Sequence, residues 1–138
     1  MLYTKEIAGT QYSFSFGLGF ARKIDAQEQT KDSNGRAQKI GISLAVAGLI
    51  DKDPEQYISV MLAGNSFAEG PRLSRETLEG WMDDDGFDFF AECEELLDFF
   101  RRSNFIKAKA AAIDEYMEHQ QKVNAAVREA EIKSAGEV

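Results

Sequence analysis

Apolar and polar residues alternate over the first sixteen positions, which predicts a β-hairpin with Ala8-Gly9 as its two-residue turn. Glycine favours such a turn because it adopts positive φ without steric cost. The register pairs Ile7 with Thr10, Lys5 with Tyr12, Tyr3 with Phe14 and Met1 with Phe16. Its apolar side chains then share one face, and they are Tyr3, Ile7, Tyr12, Phe14 and Phe16. A lone hairpin is marginally stable in water, so we expect this face to pack on helices.

Helical spacing follows the hairpin and continues to the C-terminus. Residues 37–50 are apolar almost all round, which predicts the central and most buried helix, and residues 31–36 are expected to form a polar loop before it. Three further helices follow from hinge, capping and stop signals: one through Ile24 after Gly17-Leu18-Gly19, one from Asp53-Pro54 to about Ala63 with Gly64-Asn65 as its stop, and one from Ser74 that carries Leu78, Trp81 and Met82.

Residues 87–102 form an amphipathic helical pattern. The apolar stripe covers an arc of about 120° on a helical wheel and comprises Phe89, Phe90, Cys93, Leu96, Leu97 and Phe100. Asp84 or Asp85 is expected to cap this helix. Four side chains are expected to be buried together with the residue 37–50 helix, namely Trp81, Cys93, Leu96 and Phe100. Phe99 lies outside the stripe, so either a second element covers it or it contacts a partner.

From Asn104 the chain is predicted to form one long helix to about Ser134. Its narrow apolar stripe starts with Ile106, Ala110, Ile113 and Met117 and drifts to Tyr116, Val123 and Val127 further on. Some 30 residues of helix span roughly 45 Å, whereas a compact domain of this length is about 37 Å across. We therefore expect a mainly α fold with a small N-terminal β-hairpin and no larger sheet. We divide it into a domain at 1–103 and a long helical extension at 104–138, which is frayed or packed on another subunit.

The formal net charge of −8 is confined to residues 76–100, which hold ten Asp and Glu and no Lys or Arg. Outside this block the signs balance, with nine basic residues against eight acidic ones in 1–75 and seven against six in 101–138. A pI near 4.7 opposes direct nucleic-acid binding, which depends on Lys and Arg. The block also holds half of the ten Phe and the single Trp, so we expect it to fold and to present an anionic face.

The residues with reactive side chains do not form a catalytic arrangement. The single Cys93 and the single His119 lie far apart on predicted helices, so we expect neither a metal cluster nor a Cys–His pair. The run at 83–85 is either a solvated capping cluster or a divalent-cation site. We expect no enzymatic activity and no cofactor. We also expect no membrane span, because the sequence contains no run of 18 apolar residues.

A succession of motifs carries a resemblance to a known family. The motifs are Phe14-Ser15-Phe16-Gly17-Leu18-Gly19-Phe20 with Ile24-Asp25, Gly41-Ile42-Ser43-Leu44-Ala45-Val46-Ala47-Gly48-Leu49 running into Asp53-Pro54, Tyr57-Ile58 with Val60-Met61-Leu62-Ala63, Pro71-Arg72-Leu73-Ser74-Arg75-Glu76-Thr77-Leu78 with Trp81-Met82-Asp83, and the acidic helix closing on Ser103-Asn104. From about Tyr3 to Lys107 the chain resembles the tail assembly chaperones of long-tailed bacteriophages, in particular those of phages and prophages of Gram-positive bacteria. It departs from the family in its Ala8-Gly9 turn and in its last 30 residues or so, which exceed the usual short form.

The resemblance implies a non-enzymatic protein of the host cytoplasm that is absent from the mature virion. Such chaperones coat the helical tape measure protein and keep it soluble while the tail tube protein polymerises around it. The resemblance also implies a homo-oligomer. The competing interpretation is an acidic inhibitor or DNA mimic that binds a basic partner through residues 76–98. We expect partner contacts at six positions, namely Phe99, Asp88, Glu92, Glu95, Ile113 and Met117.

Overall fold

The computed structural model describes the backbone of residues 2–27, 29–31, 34, 37–39 and 41–136, and the side chains within these ranges except those at 29–31, 37–39, 117 and 132–136. The described elements, in chain order, are β1 (Leu2–Ile7), β2 (Thr10–Ser15), α1 (Leu18–Gln27), β3 (Gln29–Lys31), β4 (Ala37–Lys39), α2 (Gly41–Ile50), α3 (Pro54–Ser66), α4 (Arg75–Met82), α5 (Phe89–Arg101) and α6 (Lys107–Gly136). The predicted class, a mainly α fold with an N-terminal hairpin and a long C-terminal helix, is confirmed.

The N-terminal hairpin has the predicted register. Tyr3 opposes Phe14, and Ile7 opposes Thr10. Ala8 and Gly9 both have positive φ, at 52° and 83°, which is the conformation of a type I′ turn. All five side chains of the predicted apolar face are buried, and strand β2 packs on α3. The predicted Met1–Phe16 pair lies outside the described residues.

A second two-stranded ribbon, β3 with β4, precedes the central helix and was not predicted. The predicted helix over 37–50 is therefore wrong at its start, because α2 begins at Gly41. The reason is tertiary. Asp25 Oδ1 of α1 accepts a hydrogen bond from the Ile42 backbone N at 2.9 Å, and Gly41 lies against the backbone carbonyl of Ile24, where a Cβ would clash. Most of the predicted 31–36 loop lies outside the described residues.

Helix α2 occupies the centre of the fold, as predicted. It packs against α1, α3, α5 and α6, and its buried residues are Gly41, Ile42, Ala45, Val46, Gly48 and Leu49. Leu44 is the exception to the apolar pattern, since it is 37% exposed.

Helix α3 begins where the sequence predicts it and ends later. Asp53 caps it by accepting a hydrogen bond from Glu55 N at 3.0 Å. The predicted stop at Gly64-Asn65 is wrong, because both residues are buried inside the last turn. The Phe16 ring packs where Gly64 has no side chain. The Asn65 side chain donates to Ser13 O of β2 and accepts from Leu73 N, which joins the helix to the hairpin and to the loop after the helix.

The ends of α4 and α5 test the capping predictions. Ser74 caps α4 as predicted, accepting from Thr77 N at 3.1 Å. Neither Asp84 nor Asp85 caps α5; Asp88 does so by accepting from Ala91 N at 3.1 Å. The helix therefore starts nearer to Phe90, whose ring is 65% exposed rather than part of the core stripe.

The predicted group of four buried side chains is largely confirmed. Cys93, Leu96 and Phe100 are buried in the core with α2. Trp81 packs against that core and is half-buried, because its ring lies at the edge of α4 beside Phe87.

Helix α6 leaves the domain after its first two turns. Ile106 and Ala110 are buried and Ile113 is half-buried. Arg101 forms an ion pair with Asp114, 3.1 Å from Nε to Oδ2. From Glu115 to Glu131 every described side chain is exposed except the half-buried Gln120. Among the described residues, no helix is long and apolar enough to cross a membrane.

Candidate interaction surface

The acidic face of α5 is partly used to hold the hairpin. Lys5 Nζ of β1 lies 2.7 Å from Glu92 Oε2 and 2.6 Å from Glu95 Oε2. The Tyr3 hydroxyl donates to the same Glu95 oxygen at 3.0 Å. On the far side of the helix, Lys52 Nζ lies 2.5 Å from Glu94 Oε1. Three acidic side chains of this helix are therefore paired with two lysines of the same chain.

Burial and hydrogen bonding shift the pKa values of this cluster in opposite directions. Burial raises the pKa of Glu92, although Lys5 opposes the shift. Burial would also raise the pKa of Glu95, but hydrogen bonds from Lys5 and Tyr3 lower it overall. Burial would lower the pKa of Lys5, but hydrogen bonds to both carboxylates raise it overall. The contacts therefore favour the ionised forms of Lys5 and Glu95, whereas burial disfavours the ionised form of Glu92.

Phe99 belongs to the core. Its ring is 9% exposed and meets the rings of Tyr3 and Phe16 edge-on, with centroids 5.3 and 5.7 Å apart. The sequence left two alternatives for Phe99, cover by a second element of the domain or contact with a partner. The structure shows the first. The alternative of an exposed Phe99 is not the one that the structure shows, because Tyr3 of β1 and Phe16 after β2 lie against its ring.

The described side chains among the other predicted contact residues lie in different environments. Asp88 is exposed and caps α5. Ile113 is half-buried against the core. The Met117 side chain lies outside the described residues. The role of these positions in partner binding stays a prediction.

An open groove along α4 and the α4–α5 loop was not predicted. Its larger part has a volume of about 670 Å³ and is lined by Trp81, Asp84, Asp85, Gly86, Phe87, Asp88 and Glu92. Its smaller part, of about 410 Å³, is lined by Ala8, Glu76, Thr77, Gly80, Trp81 and Asp84. The two parts share Trp81 and Asp84, and we call them together the acidic groove. Trp81 and Phe87 form its aromatic wall, with ring centroids 4.6 Å apart.

Exposed apolar side chains follow one side of α6 beyond the domain. Tyr116, Val123 and Val127 are 57%, 41% and 52% exposed. Their spacing of seven and then four residues places them within an arc of about 40° on a helical wheel. We call these three residues the α6 stripe. Such a stripe is typical of a helix that packs on another helix.

The sequence held a signal for the α6 stripe but only a weak one for the groove. The apolar spacing beyond Ile113 predicts the stripe directly. The sequence predicts Trp81 as a buried residue, and Phe87 does not belong to the apolar stripe of residues 87–102. An aromatic residue on each side of an Asp run, with Gly86 beside it, is the signal that points to the groove.

The described side chains offer little reactive chemistry. Cys93 is fully buried, and burial raises the pKa of its thiol to about 11. Asp83, Asp84 and Asp85 are exposed. Within the part of the chain that the structure describes, no group of three or more His, Cys, Asp or Glu side chains is placed to hold a metal ion.

The described part of the chain is a small helical domain that has a buried hairpin face, an acidic groove and an exposed helical stripe. Residues 4–115 match the family model described as phage tail assembly chaperone protein, TAC. The chain therefore belongs to this family of chaperones, which act in phage tail assembly, and the resemblance stated from its motifs is confirmed. The narrower expectation of a Gram-positive host stays a prediction. No curated protein and no solved structure matches the chain.

Proposed function

We propose that this chaperone binds the tape measure protein, keeps it soluble in the host cytoplasm and helps the tail tube protein polymerise around it. Membership of the tail assembly chaperone family gives the general role. The observation that supports this client is the α6 stripe, since the tape measure protein is expected to be helical. Helices in water gain most of their stability from packing an apolar face, so a client helix and α6 stabilise each other.

The α6 stripe follows the buried start of the helix along the chain, rotated by about 90° on a helical wheel. Ile106 and Ala110 are buried against α2 and α5, Ile113 is half-buried, and the exposed stripe begins at Tyr116. A client helix that packs on the stripe therefore meets a helix already held by the core at its other end. This observation supports α6, rather than Phe99, as the apolar surface that contacts the tape measure protein.

Co-expression tests this proposal. The soluble yield of the tape measure protein should rise with the wild-type chaperone and fall with Val123→Asp, which places a charge in the stripe. Ala125→Asp is the matched control, because position 125 lies on the opposite side of the same helix and is also exposed. Equal tape measure solubility with and without the chaperone would overturn the proposal. Equal effects of the two substitutions would show that the α6 stripe is not the surface that binds the tape measure protein.

We also propose that the protein self-associates through the α6 stripe when no client is present. The ten acidic residues at 76–100 repel like faces, so the contact is heterologous and strengthens as salt screens the repulsion. Sedimentation of the full chain should show an oligomer at high micromolar concentration, and a chain that ends at Glu115 should be monomeric. This truncation keeps Ile106 and Ala110 in the core. A monomeric full chain at low and high salt would overturn self-association.

A further inference from the structure

We infer that the acidic groove is a docking site for a lysine or arginine side chain on a basic segment of the client protein. The inference rests on the proposed function only for the identity of the client. The groove combines an aromatic wall with carboxylates at its rim, and a cation close to an indole face beside a carboxylate is attracted by both groups.

The charge of the groove selects the occupant. Every ionisable side chain lining it is acidic, and these are Glu76, Asp84, Asp85, Asp88 and Glu92. Glu92 is paired with Lys5 and Asp88 caps α5. In the described part of the chain, Asp84 and Asp85 form no ion pair and no side-chain hydrogen bond, and both are exposed. Their negative charge therefore remains available to a partner.

The shape of the groove leaves room for a long side chain. Gly80 and Gly86 line its two parts, and a Cβ added at either residue would meet no atom within 4 Å. Trp81 and Phe87 are both half-buried and line the groove. A flexible alkyl stem packs on these rings while its charged end reaches the carboxylates, as Lys and Arg side chains commonly do.

An acidic partner or a nucleic acid does not fit this site, because its charges would face the same carboxylates. A basic segment of the client would contact both the half-buried rings of Trp81 and Phe87 and the exposed carboxylates beside them. The α6 stripe and the groove then recognise different parts of a client. The stripe contact depends weakly on salt, whereas the groove contact weakens as salt screens it.

Trp81 provides a direct probe, since it is the single Trp of the chain. The full-length protein is titrated with an Ala-rich helical peptide of about 20 residues that carries Arg at every fourth position, and with the same peptide carrying Glu instead. The Arg peptide should change Trp81 fluorescence in a saturable, salt-sensitive manner, and the Glu peptide should not. A missing or non-saturable response to the Arg peptide would overturn the inference, as would equal binding of both peptides.

Charge-matched variants locate the binding. Asp84→Asn with Asp85→Asn should weaken binding of the Arg peptide about fivefold or more, as expected for the loss of exposed charge contacts. Glu115→Gln with Glu118→Gln removes the same charge from the exposed part of α6 and should change binding less than about twofold. Equal weakening by both pairs would show non-specific attraction and would overturn the inference.

Co-expression with the tape measure protein separates this inference from the proposed function. If the wild type raises tape measure solubility and the Asp84/Asp85 variant does so equally well at every salt concentration, the groove inference fails and the proposed function stands. If the wild type has no effect, the proposed function fails, and the peptide titration still decides whether the groove binds basic side chains.

Discussion

Lys5 Nζ of strand β1 lies 2.6 Å from Glu95 Oε2 of helix α5, across 90 positions of the sequence. Lys5 also pairs with Glu92 at 2.7 Å. The two ion pairs hold the hairpin on α5, where the hairpin covers Phe99. The acidic block is therefore a structural element of the domain, and its groove is the partner surface that we propose.

Removing the Lys5 charge should destabilise the fold. Lys5→Met keeps most of the alkyl stem but leaves Glu92 and Glu95 facing each other without a cation. Because Lys5 and Glu92 are 20% and 16% exposed, we expect the free energy of unfolding to fall by about 1–2 kcal/mol. Urea denaturation measures it. In the Glu95→Gln background the same substitution should cost less, and an unchanged cost would show that the two residues are not coupled.

Cys93 should make the fold sensitive to alkaline pH. The pKa of its thiol is about 11 in the folded chain, against 9.0 for an ordinary thiol. A raised pKa gives a stability contribution that is complete below pH 9 and is lost as pH rises toward 11. Between pH 8 and pH 10 this loss is about 1 kcal/mol. Cys93→Ala should show a smaller decrease over this interval than the wild type, as measured by urea denaturation at each pH.

The burial of Cys93 also predicts slow thiol chemistry. At pH 8 the native protein should react with a thiol reagent far more slowly than the urea-unfolded chain, since the thiol is fully buried and little thiolate is present. Equal reaction rates in the two states would contradict the packing of α5 against the core.

Two phenylalanines of the same helix should respond differently to truncation. Phe100 is 1% exposed and packs edge-on against Phe16, with ring centroids 5.1 Å apart. Phe100→Ala should therefore cost about 3–5 kcal/mol of unfolding free energy. Phe90 is 65% exposed and lies under the Lys52 ammonium, 4.6 Å from Nζ to the ring centroid. Phe90→Ala should cost less than about 1 kcal/mol, and a larger loss would place Phe90 in the core.

Two helical glycines should respond with opposite signs. At Gly64 an added Cβ would clash with the Phe16 ring in the core, so Gly64→Ala should destabilise the fold by about 1–3 kcal/mol. At Gly80 of α4 an added Cβ meets no atom within 4 Å, so Gly80→Ala should stabilise it by roughly 0.5–1 kcal/mol through helix propensity. Thermal denaturation of both variants checks the signs, and destabilisation by Gly80→Ala would contradict the packing of α4.

Local signals in the sequence determined several elements by themselves. The alternation on either side of Ala8-Gly9 gave one register with a single apolar face, because a one-residue slip moves every side chain to the other face. Asp53-Pro54 and Ser74 marked helix starts, because a capping side chain bonds backbone groups within three residues of itself. The succession of motifs also identified the family. No single motif is specific, but their order and spacing together are.

Long-range packing decided the rest. Helix α2 starts at Gly41 because Asp25 and the Ile24 carbonyl lie there, and α3 continues through Gly64 because Phe16 packs against it. Phe99 is buried only because the hairpin folds over α5. The groove exists because the α4–α5 loop leaves Trp81 and Phe87 side by side at the surface. Helical phase shows which side of a helix a residue occupies, whereas only the tertiary fold decides which neighbour covers that side and which part of it remains open.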